Sequence, residues 1–290
     1  MTGISAIPAI GANRVPSGIL YIVATPIGNL EDMTVRAVRI LREVDLIAAE
    51  DTRHTRKLLT HFGISRPLTS YFDHNQQLKG DRILTALAEG KSVALVSDAG
   101  TPCISDPGYQ LVRDAVAAGI AVVPLPGACA AVVALSASGL PTDEFTFVGF
   151  LPNRQAKRRE RLAQLVSEPR LLVFYEAPHR LAATLADMAE LFGDRQAVVA
   201  RELTKLYEEF ARGILPELAE RFTSAPVKGE VAILVSPGAE TEAAESQDIA
   251  GMLRDRLAQG CSVKDAVQQV AKATGEPRSE VYATALALKR

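Results

Sequence analysis

Cysteine is scarce in this chain. Its three thiols among 290 residues, Cys103, Cys129 and Cys261, are far apart and form no Cys-x-x-Cys pair. That argues against a structural zinc site and against a disulfide framework, and suits a reducing compartment such as the cytoplasm. An excess of charge is also missing: 32 Lys and Arg against 34 Asp and Glu give a formal net charge of −2. A nucleic-acid partner must then be gripped by local basic patches rather than by an overall field. The start, "MTGISAIPAIGANRVPSG", has no basic segment leading into a continuous apolar stretch, so residues 1–17 read as a flexible tail and not as a signal peptide. The most apolar region, 119–141, is broken by Pro124, Pro126 and Gly127 and carries Ser136 and Ser138. It predicts a buried strand, a turn and a buried helix rather than a membrane span. Internal repeats and low-complexity segments do not stand out.

What remains is an ordinary globular composition, 48% hydrophobic and 23% charged, at a length that favours two domains. Strand-like apolar runs lie at 19–24, 45–50, 67–72, 92–97 and 120–125, with helical patterns near 34–43, 53–62, 76–89 and 107–118 between them. Gly63, Gly90 and Gly119 stand where helices end. Short apolar runs separated by helices imply crossover connections, hence a largely parallel sheet over 18–125. "PLPG" at 124–127 opens a second α/β segment, 126–237, with a helix near 128–138 and strands at 145–150, 170–177, 195–204, 207–215 and 229–236. The close succession of 195–204 and 207–215 predicts an antiparallel hairpin, so this second sheet is expected to be mixed. An acidic linker, 238–246, leads to a helical tail, 247–290, divided by Gly260 and Gly275 into three short helices. Ser262 with Asp265 marks one helix start there, and Pro277 with Ser279 another. Three such helices resemble a helix-turn-helix unit.

Five stretches carry candidate chemistry. "ATPIGNLEDMT" (24–34) joins a strand to a helix but has one glycine and no lysine, so it is neither a dinucleotide fingerprint nor a phosphate loop. Thr34 reads as a helix N-cap, with Asn29 and Asp32 as turn residues. "VSDAGTPCISDPG" (96–108) delivers Asp98 at the carboxyl end of a strand, where ligands of parallel sheets sit and where a carboxylate can accept ribose hydroxyls. "AAEDTRHTRKLL" (48–59) sets Glu50 and Asp51 beside Arg53, His54, Arg56 and Lys57. Those groups serve either as a helix cap and solvated face or as a grip on a phosphodiester, and His54 has no neighbours at metal-ligand spacing. In "NRQAKRRERLAQLV", Arg154, Lys157, Arg158 and Arg161 fall at i, i+3, i+4 and i+7. One cationic stripe follows, whose self-repulsion asks for an anionic partner such as an RNA backbone. Finally, Glu176 with Arg180 and Glu202 with Lys205 sit at strand ends, either as structural ion pairs or as groups for proton transfer and ribose positioning.

Together "YIVATPIGNLEDMTVRA", "EDTRHTRKLL", "SDAGTPCISDPG", "PLPGACAAVVALSASGLP", "FVGFLP", "YEAPHR", "RELTKLYEE" and "KGEVAILV" resemble the bacterial small-subunit ribosomal RNA 2′-O-ribose methyltransferases of the tetrapyrrole methylase superfamily, over residues 18–236. The resemblance implies two α/β domains with an S-adenosylmethionine cleft between them, a small C-terminal helical domain, a homodimer, and no metal. It implies as target a cytidine in the decoding region of 16S ribosomal RNA. Carried over to matching positions, Pro26, Asp98, Ala99, Ile104, Cys129, Ala130, Tyr175 and Leu203 would contact the cofactor, with Tyr175 and Leu203 flanking its adenine. Glu202, Lys205 and Asp51 are candidates to accept the ribose proton, while Arg53, Arg154, Lys157, Arg158, Arg161 and Arg180 would steer RNA. Two alternatives remain open: C-methylation of a tetrapyrrole precursor, which needs neither the basic stripe nor the helical tail, and a noncatalytic RNA-binding protein with a vestigial cleft.

Overall fold

A computed structural model of the chain describes residues 18–72, 76–223, 229–238, 249–274 and 278–288. The expected tail at 1–17, the linker beyond residue 238, Gly275 and Pro277 lie outside the described residues. The first segment runs β1 (Ile19–Val23), α1 (Val35–Glu43), β2 (Leu46–Ala49), α2 (Thr52–His61), β3 (Leu68–Ser70), α3 (Gln76–Ala88), β4 (Val93–Val96), α4 (Tyr109–Ala117) and β5 (Ala121–Leu125). Its sheet has the order β3-β2-β4-β1-β5, parallel at every pairing. Alternation along β1 decides which helices cover which face. Tyr21 and Val23 pack with Ala37, Ile40, Leu41 and Leu59 of α1 and α2, whereas Leu20 and Ile22 pack with Ile83, Leu87, Leu111 and Ala115 of α3 and α4. Gly63, Gly90 and Gly119 follow α2, α3 and α4 with φ of 61°, 85° and 71°, the left-handed conformation that ends a helix without a Cβ penalty.

The second segment comprises α5 (Ala130–Ser138), β6 (Phe145–Phe150), α6 (Gln155–Ala163), β7 (Leu171–Glu176), α7 (Leu181–Phe192), β8 (Gln196–Arg201), β9 (Glu209–Ile214), α8 (Leu215–Thr223) and β10 (Val231–Val235). The sheet order is β6-β7-β10-β8-β9; β6 and β7 are parallel and the other pairings antiparallel. The mixed sheet and the β8–β9 hairpin are those the sequence pattern predicts. One face is covered by α6, α7 and α8 through Leu162, Leu181, Leu185, Met188, Leu215 and Leu218. The other face packs on α5 and, through Ile27 and Ala99, on loops of the first sheet, so the two sheets belong to one compact unit ending at Ser236. The helical unit is separate and consists of α9 (Ile249–Ala258), α10 (Val263–Thr274) and α11 (Arg278–Ala287). Its core is Leu253, Ala266, Val267, Val270 and Val281, and Ser262 Oγ accepts the Asp265 amide at 3.1 Å to cap α10. No described helix is long and apolar enough to cross a membrane.

Candidate active site

The loops at the carboxyl ends of β1 and β4 are clamped together. The Thr25 amide donates to Gly100 O at 2.8 Å and the Gly100 amide to Thr25 O at 3.0 Å, while Thr101 Oγ1 donates to Ala128 O at 2.9 Å. The turn before α5 comes equally close, for a Cβ built on Gly127 would lie 2.6 Å from Ala24 Cβ. Gly127→Ala is therefore expected to overpack this junction, at a cost of about 1–3 kcal/mol, read as a lower melting temperature. An unchanged melting temperature would mean that the two loops have slack.

Between the clamped loops and the second sheet lies a cavity of about 370 Å³. Its wall from the first sheet is Ile27, Glu50, Asp98, Ala99 and the loop from Gly100 to Asp106. Opposite are Cys129 and Ala130 at the start of α5, Phe150 and Tyr175 at the ends of β6 and β7, Leu203 after β8, and Glu230 before β10. A β-bulge between Phe147 and Gly149 keeps Phe150 in register with Tyr175, and the two rings meet edge to face with centroids 5.7 Å apart. Tyr175 Oη accepts the Ala131 amide at 3.0 Å, and burial raises its phenol above the ordinary value. The loop that carries Asp106 bends sharply: Cys103 and Ser105 hold φ of 72° and 63°, a conformation side chains rarely adopt. Gly108 allows this fold, since a Cβ there would be 2.5 Å from Cys103 Sγ.

Acidic groups dominate the cavity's lining. Glu50, Asp98, Asp106, Glu176 and Glu230 line it, and among the described lining residues there is no lysine or arginine, although Arg180 pairs with Glu176 and Lys205 with Glu230 from outside the lining. Burial pushes the Asp106 carboxyl up to about 7, aided by the charges of Glu50, Asp98 and Glu230 and opposed by a Ser97 hydroxyl. A crowded, half-buried carboxylate group with an apolar slot beside it suits a ligand that is cationic at one end and aromatic at the other. It does not suit a phosphate. No metal-binding cluster occurs among the described residues.

Of the residues picked from the sequence, Asp98, Ala99, Ile104, Cys129, Ala130, Tyr175 and Leu203 meet in this cavity. Pro26 does not; it lines an adjoining hollow of about 270 Å³ that shares Asp98, while its neighbour Ile27 reaches the cavity. Glu230 and Phe150 are not among the residues the sequence singles out, and Asp106 enters there only as the second aspartate of the 96–108 loop, with no role of its own.

The three proton-acceptor candidates are otherwise engaged. Asp51 caps α2, accepting the Arg53 amide at 2.8 Å, and is paired with the Arg53 guanidinium at 2.7 Å, which holds its carboxyl well below the usual range. Lys205 Nζ bridges Glu202 at 2.8 Å and Glu230 at 3.4 Å, so Glu202 is driven down, chiefly by the Lys205 hydrogen bond. Lys205 is raised, since its carboxylate bonds outweigh the opposing cost of burial. Neither member of this pair is poised to take a proton at neutral pH. Glu202 and Thr204 hold φ of 51° and 67°, and this turn lays the Lys205 stem across the first loop, where a Cβ on Gly28 would be 2.5 Å from Lys205 Cγ.

The predicted cationic stripe is also corrected. Arg154, Lys157 and Arg161 are exposed, but Arg158 is only 4% exposed and pairs with Asp187 of α7 at 2.6 Å. Arg158 precedes the buried Leu162 by one helical turn, so it falls on the inward face of α6. Arg180 is spent internally as well, donating to Leu151 O at 2.9 Å and pairing with Glu176 at 3.2 Å. Arg53 remains exposed, although ion-paired.

Residues 19–219 match the family described as Tetrapyrrole (Corrin/Porphyrin) Methylases, and residues 243–289 match the RsmI C-terminal HTH domain. The chain is 52% identical to the Ribosomal RNA small subunit methyltransferase I of Xylella fastidiosa strain Temecula1, covering 91% of this chain and 98% of the relative. It is 49% identical to the protein of that name from Halalkalibacterium halodurans, covering 93% and 95%, and 49% to that from Pseudomonas aeruginosa, covering 93% and 97%. Among solved structures, diphthine synthase matches with a TM-score of 0.60 at 16% identity over 75% of this chain and 90% of that one. A cobalt precorrin-4 methyltransferase matches at 0.57 with 17% identity over 76% and 95%. At such identities the structures speak for the fold alone.

Proposed function

Because the chain belongs to the tetrapyrrole methylase family, in its branch of ribosomal RNA small subunit methyltransferases I, we infer that it is a methyltransferase acting on small-subunit ribosomal RNA. We assign it 2′-O-ribose methylation of a cytidine in the decoding region of 16S RNA, with S-adenosylmethionine as donor. The observation that carries this reading is the convergence of Asp98, Cys129, Tyr175 and Leu203, distant in sequence, on one acidic cavity with an apolar slot.

S-adenosylmethionine supplies an electrophilic methyl group on a cationic sulfonium. Its adenine would occupy the slot of Tyr175, Leu203, Cys129 and Ala130, Asp98 would accept ribose hydroxyls, and Asp106 with Glu50 would face the positive end. With Glu202, Lys205 and Asp51 held in ion pairs, the protein's main contribution is to keep donor and acceptor in line. The same groups fix a pH dependence. A cation favours ionised Asp106, so donor affinity should rise with pH through about 7, by up to about tenfold per unit below it. Because the folded value lies above the ordinary 3.8, protonated Asp106 contributes stability that is lost as pH rises from about 4 to 7. Asp106→Asn should accordingly raise the melting temperature near pH 8, flatten the pH profile of donor binding, and weaken binding at that pH. Calorimetric titration at pH 6 and 8 checks this, and a flat wild-type profile would remove Asp106 from the donor site.

Arg154, Lys157 and Arg161 are exposed on and beside α6, and we assign them, with Arg53, to the RNA backbone. Changing the three on α6 to alanine should lower the slope of log affinity against log salt by about 2, without changing donor affinity. An unchanged slope would demote them to a solvated face. We place the activity in the cytoplasm and in a homodimer, a state that light scattering on the purified protein tests. The reading as a whole is tested by incubating the protein with labelled donor and small ribosomal subunits that lack the modification. Label on a 2′-oxygen supports it, and donor binding without transfer to RNA contradicts it.

A further inference from the structure

The hollow beside the cavity is lined by Thr25 and Gly28 of the first loop, by His54, Thr55 and Lys57 of α2, and by Asp98. Three observations bear on its use. Asp98 lines both spaces, so an occupant of the hollow and the ligand of the cavity border the same side chain. Thr55 is 2% exposed, yet its Oγ1 has no hydrogen-bond partner, and a buried hydroxyl left in that state is costly unless a ligand or water completes it. Lys57 and His54 are exposed cations or potential cations on the same rim, where an anion can bind both them and the Thr55 hydroxyl.

We propose that this hollow holds the acceptor nucleotide, with its ribose against the Asp98 wall and its phosphate bonded by Thr55, Lys57 and His54. The proposal rests on the RNA-methylating function inferred above and names the residues that seat the target. Arg53 stays outside this set because it does not line the hollow. Thr55 and Lys57 are thus positioning residues for the acceptor and have no part in donor binding.

The test measures methyl transfer to small ribosomal subunits lacking the modification, with donor affinity measured calorimetrically on the same proteins. Thr55→Val keeps the side-chain volume and removes the hydroxyl. It should raise KM for the subunits about fivefold, the worth of one hydrogen bond, and Thr55→Ser should restore it. Lys57→Ala should raise KM by roughly tenfold and lower the salt slope by about 0.7, as for one phosphate contact to a single strand, with Lys57→Arg restoring most of both. Donor affinity should not move in any variant. Lys57 is exposed, so its variants keep the test decisive even if Thr55→Val folds poorly. Unaltered subunit KM in Thr55→Val and Lys57→Ala, with an active wild type, overturns the acceptor site and leaves the methyltransferase reading intact. A wild type that binds donor but methylates no subunit overturns both.

Discussion

Arg158→Ala is expected to destabilise the protein by about 3–5 kcal/mol, the usual result of removing one partner from a buried ion pair. For the two-sheet unit that corresponds to a fall in melting temperature of roughly 10 °C. Arg158 and Asp187 are 4% and 2% exposed. Asp187 accepts from Arg158 Nε at 2.7 Å, from Gln155 at 3.1 Å and from Arg159 at 3.2 Å. Burial opposes ionisation of Asp187, but these bonds outweigh it and hold the carboxyl below its ordinary value. Truncating Arg158 would leave that charge without its closest partner. The RNA salt slope of any surviving folded protein should be that of the wild type. A normal melting temperature together with a reduced slope would return Arg158 to the RNA-binding surface.

Asp98→Ala is expected to weaken donor binding by roughly 100-fold, the scale of losing a hydrogen bond to a charged group, and to abolish detectable methyl transfer. Asp98 stands at the end of β4, held by the Asp51 amide, which donates to its Oδ1 at 3.0 Å, and it lines both the cavity and the adjoining hollow. Asp98→Asn retains an acceptor for that amide while removing the charge, so it separates positioning from electrostatics. Near-normal donor affinity in Asp98→Ala would move the ribose site elsewhere in the cleft.

Most of the scaffold was legible in the chain because parallel strands are short apolar runs that glycines and helices punctuate. β1, β4 and the β8–β9 hairpin fall within the predicted spans, and Thr34 caps its helix, accepting the Ala37 amide at 3.1 Å. Two helices, α7 and α8, lie where the patterns identified only strands around them, although Leu181, Leu185, Met188 and Phe192 repeat with helical period. The site was less legible, for a tertiary reason. Its walls come from strand ends separated by up to two hundred residues, so no local spacing announces that Asp106, Glu50 and Glu230 crowd together. Charge spacing misled at Arg158, because the same helical period that aligns four cations also aligns Arg158 with Leu162 and Leu165. Partner identity is equally invisible in spacing: Asp51, Glu202 and Lys205 look available as bases until their ion pairs are seen.

The most direct measurement maps 2′-O-methylation along 16S ribosomal RNA from cells lacking this protein, with and without its restoration. Loss of a single 2′-O-methyl group from a cytidine in the decoding region, restored by the wild type but not by Asp98→Ala, is the predicted result. An unchanged 2′-O-methylation map in the cells lacking the protein would contradict it.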